Sequence, residues 1–171
     1  MLIIKSKIAA LVLTAALVTG LCPMGAYAEQ SAPNVSAASC VLMYADGSCV
    51  YEKNADDRRL IASTTKLMTA LICIENCALD ETVDVRARHC LVEGSPMYLK
   101  AGYDYTVREL LLGLLLASGN DAALALAEHA AGSERAFVRL MNRRAAELGM
   151  DGTSFANPHG LDDKQHYSTA R

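Results

Sequence analysis

The chain has no Cys-X-X-Cys pair, no internal repeat and no block of lysine and arginine. Its four histidines, His89, His129, His159 and His166, are scattered, so no metal-ligand spacing is visible and no cofactor is indicated. Its longest apolar run near the start, residues 8–18, is too short for a spanning helix, which needs about 20 residues. That run follows Lys5 and Lys7 and precedes Ala26-Tyr27-Ala28, the layout of a secretory signal cleaved after residue 28. A retained anchor is the plainer alternative. A lipidated Cys22 is disfavoured by Leu21, where a small residue is needed. Removing residues 1–28 takes two of the 16 basic residues and none of the 19 acidic ones, leaving 14 against 19 and a net charge of −5. A nucleic-acid partner needs a concentrated basic surface, which this balance does not offer.

Six cysteines are present, and Cys22 leaves with the signal. Cys40, Cys49, Cys73, Cys77 and Cys90 remain, an odd number, so at least one thiol is free or pairs between chains. Cys73 and Cys77 share a helical face at a spacing awkward for a disulfide. The simplest reading of these cysteines is as small buried hydrophobes.

What is present beyond the signal reads as one domain. Residues 29–37 form a flexible lead-in, and residues 38–171 form the folded part. Residues 39–44 and 48–51 favour strands around Ala45-Asp46-Gly47, a hairpin signal. A helix begins near Ser63. It is apolar on nearly every side, which predicts a central position buried by other elements. Val83 and Val85 alternate with polar residues, and residues 97–100 are β-like, which predicts a second small hairpin. Thr106 and Glu109 form a capping box before a leucine-rich helix that stops at Ser118-Gly119-Asn120. An alanine-rich helix follows and ends around Gly132. Ser133 caps a last helix, and Gly149 stops it. Asn157-Pro158-His159-Gly160 reads as a surface loop.

The chemistry concentrates in two places. Ser63-Thr64-Thr65-Lys66 puts a hydroxyl and an amine one helical turn apart on one face, the spacing of a nucleophile and its base. The start of a helix also offers backbone N–H groups to an oxyanion. Ser118-Gly119-Asn120 interrupts two apolar helices with a polar triplet, which reads either as a plain turn or as a hydroxyl and an amide held over a cleft.

In order and spacing these motifs resemble the penicillin-binding D-alanyl-D-alanine carboxypeptidases. Ser63-Thr64-Thr65-Lys66, followed by Leu67-Met68-Thr69-Ala70, resembles their first motif, and Ser118-Gly119-Asn120 their second. Tyr51-Glu52-Lys53-Asn54-Ala55, Met97-Tyr98-Leu99-Lys100-Ala101-Gly102 and Asn157-Pro158-His159-Gly160-Leu161-Asp162-Asp163 resemble the same family. The resemblance implies an α+β, beta-lactamase/transpeptidase-like fold: a helical subdomain plus the N-terminal hairpin of a central antiparallel sheet. It implies Ser63 as nucleophile, Lys66 as base, Ser118 as proton relay and Asn120 as the holder of Lys66 and of a substrate amide. Peptidoglycan stem peptides ending in D-Ala-D-Ala would be substrates, and beta-lactams covalent inhibitors. The site would lie outside the cytoplasmic membrane, attached to it only through a C-terminal anchor that the family often carries beyond the region matched here. His159 receives no catalytic part.

There are departures. The family's third motif, Lys-Thr-Gly on a strand across the cleft, occurs nowhere in these 171 residues. Ile61 and Ala117 stand where relatives often have proline. On this reading the fold is incomplete, its sheet edge unpaired, and the chain alone is poorly folded and inactive, at most binding wall peptides. A beta-lactamase on the same fold is the other enzymatic alternative.

Overall fold

The computed structural model describes residues 33–171, and the fold is that of the unit Ser36–Arg171. The signal segment lies outside the described residues, as does the lead-in up to residue 32. Strands β1 (Cys40–Met43) and β2 (Cys49–Lys53) form the expected antiparallel hairpin, with Leu42 opposite Tyr51. Its turn closes because Asp46 Oδ1 accepts hydrogen bonds from the Ser48 backbone N–H at 2.9 Å and from Ser48 Oγ at 2.6 Å.

A 3₁₀ turn, Ala62–Thr64, leads into α1 (Thr65–Asn76). The second hairpin pairs β3 (Thr82–Asp84) with β4 (Asp104–Thr106), placing Val83 opposite Tyr105. Residues 97–100 are therefore not the partner strand. The backbone N–H groups of Met97 and Leu99 are instead taken by the Asp121 carboxylate, at 2.9 and 3.0 Å. Tyr98 between them has a left-handed φ of 64°, so the ladder conformation is broken there.

The capping box is formed. Thr106 Oγ1 accepts from the Glu109 N–H at 3.2 Å, and Glu109 Oε2 accepts from the Thr106 N–H at 2.8 Å, opening α2 (Val107–Leu116). Helix α3 (Asn120–Ala131) ends at Gly132, and Ser133 caps α4 (Glu134–Glu147). The Gly149 N–H donates to Ala146 O and the Met150 N–H to Ala145 O, which satisfies carbonyls left open at the end of α4.

The centre of the bundle is α3, not the Ser63 helix. Ala122, Ala123, Ala125, Leu126 and Ala127 are fully buried, and α3 packs on α1, α2 and α4. Alanines there let three helices approach one. Helix α1 buries Met68, Ala70, Ile72 and Cys73 but leaves Leu67 67% and Ile74 57% exposed. Leu112, Leu115 and Leu116 of α2 also face outward. The apolar character of these two helices thus exceeds what the packed core uses. Both hairpins are two-stranded and open. Among the described cysteines only Cys73 is fully buried. Cys49 is exposed, the other three described ones are half-buried, and all five are free thiols.

The last residues return to the hairpin side. Arg59 and Ser168 form an isolated antiparallel bridge, as do Ser154 and Tyr167. Arg171 donates to Glu52 and Asp56, each at 2.7 Å. Residues 157–160 are themselves tied to α1, where Thr69 Oγ1 and Lys66 Nζ donate to the Pro158 and His159 carbonyls.

Candidate active site

Ser63 sits in the 3₁₀ turn, exposed, with its side chain one turn from Lys66. Lys66 is only 2% exposed. Its Nζ donates to three acceptors: Ser63 Oγ at 3.1 Å, Asn120 Oδ1 at 2.7 Å and the His159 carbonyl at 2.8 Å. It makes no ion pair among the described residues. Burial therefore goes uncompensated by a negative charge and lowers its pKa from the ordinary value.

The Ser118-Gly119-Asn120 turn approaches from α2 and α3. Ser118 has a left-handed φ of 56°, and its Oγ donates to Ser63 Oγ at 2.9 Å. Gly119 is required by close approach: a Cβ there would stand 2.8 Å from Asp121 Oδ1 and 3.2 Å from the Met97 backbone nitrogen. Asn120 is buried and spans two partners, since its Nδ2 also donates to the Glu93 carbonyl at 2.6 Å. A carbonyl accepts and an ammonium donates, so only one orientation of this amide suits both contacts. The four residues singled out from the sequence are thus brought together. The amide nitrogen of Asn120 is taken by Glu93.

The loop of residues 157–160 is buried, which corrects the surface assignment. Its carbonyls explain why. Pro158 O accepts from Thr69 Oγ1 at 2.6 Å, and His159 O accepts from Lys66. Asn157 Oδ1 folds the loop by accepting from the Gly160 N–H at 2.7 Å. Gly160, at φ +93°, passes so close to α1 that a Cβ would lie 1.9 Å from the Ala62 carbonyl oxygen. The His159 ring makes no hydrogen bond to Ser63, whose Oγ partners are Lys66 and Ser118. Its Nδ1 accepts from the Leu161 N–H at 3.3 Å. Burial, then the Lys66 and His166 charges, push its pKa down to about 4, so it is neutral near pH 7. The contribution of this loop is a backbone carbonyl, which no side-chain motif announces. His166 locks the same region. Its Nδ1 accepts from the Ala156 N–H, which leaves Nε2 to donate to Thr65 Oγ1 at 2.7 Å.

These groups open on a cavity of about 620 Å³ lined by Ser63, Glu93, Ser95, Asn120, His159 and Asp162. Asp121, buried one residue past the second motif, holds the backbone N–H groups of Met97 and Leu99. No side-chain motif in the sequence announces Asp121. The signal available was an acid in a first turn, where free N–H groups gather.

The family model of D-alanyl-D-alanine carboxypeptidases (peptidase family S11) matches residues 26–171. The chain belongs to this family. It is 40% identical over 156 residues to the D-alanyl-D-alanine carboxypeptidase DacF of Bacillus subtilis, covering 85% of this chain and 40% of that protein. The crystal structure of the D-alanyl-D-alanine carboxypeptidase DacD from Francisella tularensis superposes with a TM-score of 0.77 at 42% identity, over 81% of this chain and 35% of that one. The Streptomyces K15 DD-transpeptidase gives 0.75 at 34% identity, over 81% and 58%. The α+β architecture is therefore that of the carboxypeptidase family. The chain spans well under two thirds of the length of these relatives.

Proposed function

We propose that this chain carries the nucleophile side of a serine-type D-Ala-D-Ala carboxypeptidase, which removes the terminal D-alanine from peptidoglycan stem peptides through an acyl-enzyme on Ser63. The observation that carries the reading is the set of partners around Lys66 Nζ. A protonated lysine has three N–H donors, and all three are used. After one proton is lost, the two carbonyl oxygens of Asn120 and His159 still require a donor each. The lone pair is left to face Ser63 Oγ, the only one of the three partners with a proton to give. Burial without a counter-charge favours that neutral form.

Attack by Ser63 Oγ on the carbonyl between the two D-alanines sends its proton to Lys66. Ser118 Oγ, 2.9 Å from Ser63 Oγ, lies where it can pass a proton to the leaving amine. Water then releases the acyl group. Beta-lactams, which resemble the substrate, acylate the same oxygen. On this reading the work is done outside the cytoplasmic membrane, which the usual setting of the family supports, and N-terminal sequencing of the exported product should begin at Glu29.

A second reading is wall-peptide binding without turnover. Labelled penicillin, applied to the chain and to a chimera continued by the remainder of the Bacillus relative, separates the readings. Mass mapping should find the adduct on Ser63, and Lys66→Met should slow its formation by about two to four orders of magnitude. An adduct on Ser118, or an unchanged rate in the Lys66 variant, overturns the assignment. Binding of a D-Ala-D-Ala peptide to the chain with no release of D-alanine in either protein favours the second reading.

A further inference from the structure

At the other end of α1, three side chains of metal-ligating type converge from separate parts of the sequence. Cys77 follows the last residue of α1, Glu81 precedes β3, and His129 lies in the last turn of α3. Their sulfur, carboxylate oxygen and imidazole nitrogen all lie within 4.8 Å of one another. Cys77 and His129 are half-buried and Glu81 is exposed, so an ion can reach them from solvent.

The backbone beneath the cluster is held at each ligand. The Cys77 N–H donates to Cys73 O at 2.9 Å, and Glu81 O accepts from the Val107 N–H at 2.9 Å. The carboxylate is itself oriented: Glu81 Oε1 accepts from the Ala78 N–H at 2.9 Å, which turns Oε2 toward His129 Nε2 at 2.8 Å. A hydrogen bond on the free oxygen of a ligating carboxylate is the outer-shell feature that aims such ligands.

We propose that Cys77, Glu81 and His129 form a binding site for a zinc-class divalent ion, with water in the fourth position. A mixed sulfur, nitrogen and oxygen donor set suits zinc and excludes calcium and magnesium, which take oxygen alone. Metal–ligand bonds of 2.0–2.3 Å in a tetrahedron set ligand atoms roughly 3.3–3.8 Å apart, so the Glu81–His129 pair opens by about 0.5 Å and Cys77 closes by rotation of its side chain. Binding exchanges the Cys77 thiol proton for the metal and moves the His129 proton from Nε2 to Nδ1. The ion would tie the end of α1 to α3 and to the start of β3. Cys77 is eleven residues along the chain from Lys66, roughly 16 Å of helix, so this proposal does not depend on the reading of Ser63.

The test is a cobalt titration of the metal-free, reduced protein, followed by displacement with zinc. The expected result is one equivalent bound, with the intense visible bands of tetrahedral cobalt and a thiolate-to-metal charge-transfer band in the near ultraviolet. Cys77→Ser should remove the charge-transfer band. Cys77→Ser and His129→Gln should each weaken zinc binding by about 100-fold or more, beyond the 10–100-fold typical for an outer-shell partner. His89→Gln, at the separate His89–Glu128 pair, should bind as the parent does. A weak octahedral spectrum without charge transfer in the parent protein overturns the proposal whatever the variants do. A charge-transfer band that survives in Cys77→Ser also overturns it, since the thiolate would then be another cysteine.

Discussion

Replacing Gly160 by alanine tests how the 157–160 loop is coupled to the nucleophile. The new methyl would stand 1.9 Å from the Ala62 carbonyl oxygen, 2.4 Å from its carbonyl carbon and 3.0 Å from Thr65 Oγ1. The first two are backbone atoms and cannot rotate away. Gly47 is the internal control, because its φ of +86° matches the +93° of Gly160 and nothing lies within 4 Å of its would-be Cβ. Gly47→Ala therefore carries only the left-handed penalty, about 1–2 kcal/mol, partly offset by lower entropy of the unfolded chain. Gly160→Ala adds overpacking of about 1–3 kcal/mol, for a total near 2–5 kcal/mol. Relief requires Ala62 to move, and Ala62 directly precedes Ser63 and already sits at φ 44°. A displacement of the nucleophile by about 1 Å can cost 10²-fold in rate. Urea denaturation of both variants gives the stability difference, and the rate of Ser63 acylation by labelled penicillin, in the chimera if the chain alone does not react, gives the coupling. If Gly160→Ala loses no more stability than Gly47→Ala and Ser63 reacts at the parent rate, the close approach does not position the nucleophile.

Lys66→Met should change how stability depends on pH. The folded lysine has a lowered pKa, so between that value and about 10.5 the unfolded chain binds more protons and unfolding free energy rises with pH. The burial penalty is full only below the folded value, and the variant should lack the rise. Buried Cys73, pushed from 9.0 up to about 12, acts in the opposite direction over that higher range, so the quantity to read is parent minus variant. A zero difference across the window removes the claim of an uncompensated ammonium. On the acid side, His159 is depressed from 6.5 to about 4, so up to about 3 kcal/mol should be lost as pH falls through that interval. His159→Gln should flatten the acid limb of a urea midpoint series, and an unchanged limb would show that the ring is not held neutral. Asp121→Asn puts an N–H where a carboxylate oxygen now accepts from Met97, Leu99 or Ala122, and should cost about 2–4 kcal/mol. A loss below 0.5 kcal/mol in the same measurement would contradict the role given to Asp121.

The elements legible in the sequence were those whose signals are local. The β1–β2 turn needs only Asp46 and Gly47, the α2 start only Thr106 and Glu109, and the α4 ends only Ser133 and Gly149. Each is settled by hydrogen bonds within a few residues. Residues 97–100 failed for the converse reason. Their strand-like pattern was overridden by a carboxylate more than 20 residues later that offered their N–H groups a better partner. The central place of α3 was missed because burial was sought in the most apolar helices. Packing rewards small side chains where three neighbours meet, and it leaves Leu67 and Leu116 outside.

By itself the sequence determined the spacing of Ser63 and Lys66 on one helical face, the break at Ser118-Gly119-Asn120 and the family to which both point. Those follow from helical periodicity and turn chemistry, which act over one or two turns of chain. Only the tertiary structure decided that Lys66 is buried without a counter-charge, that the His159 carbonyl is its third partner and that Asn120 is shared with Glu93. It alone brought Cys77, Glu81 and His129 together. These depend on contacts between residues 27 to 93 positions apart, where no periodicity reaches and backbone groups leave no trace in residue type.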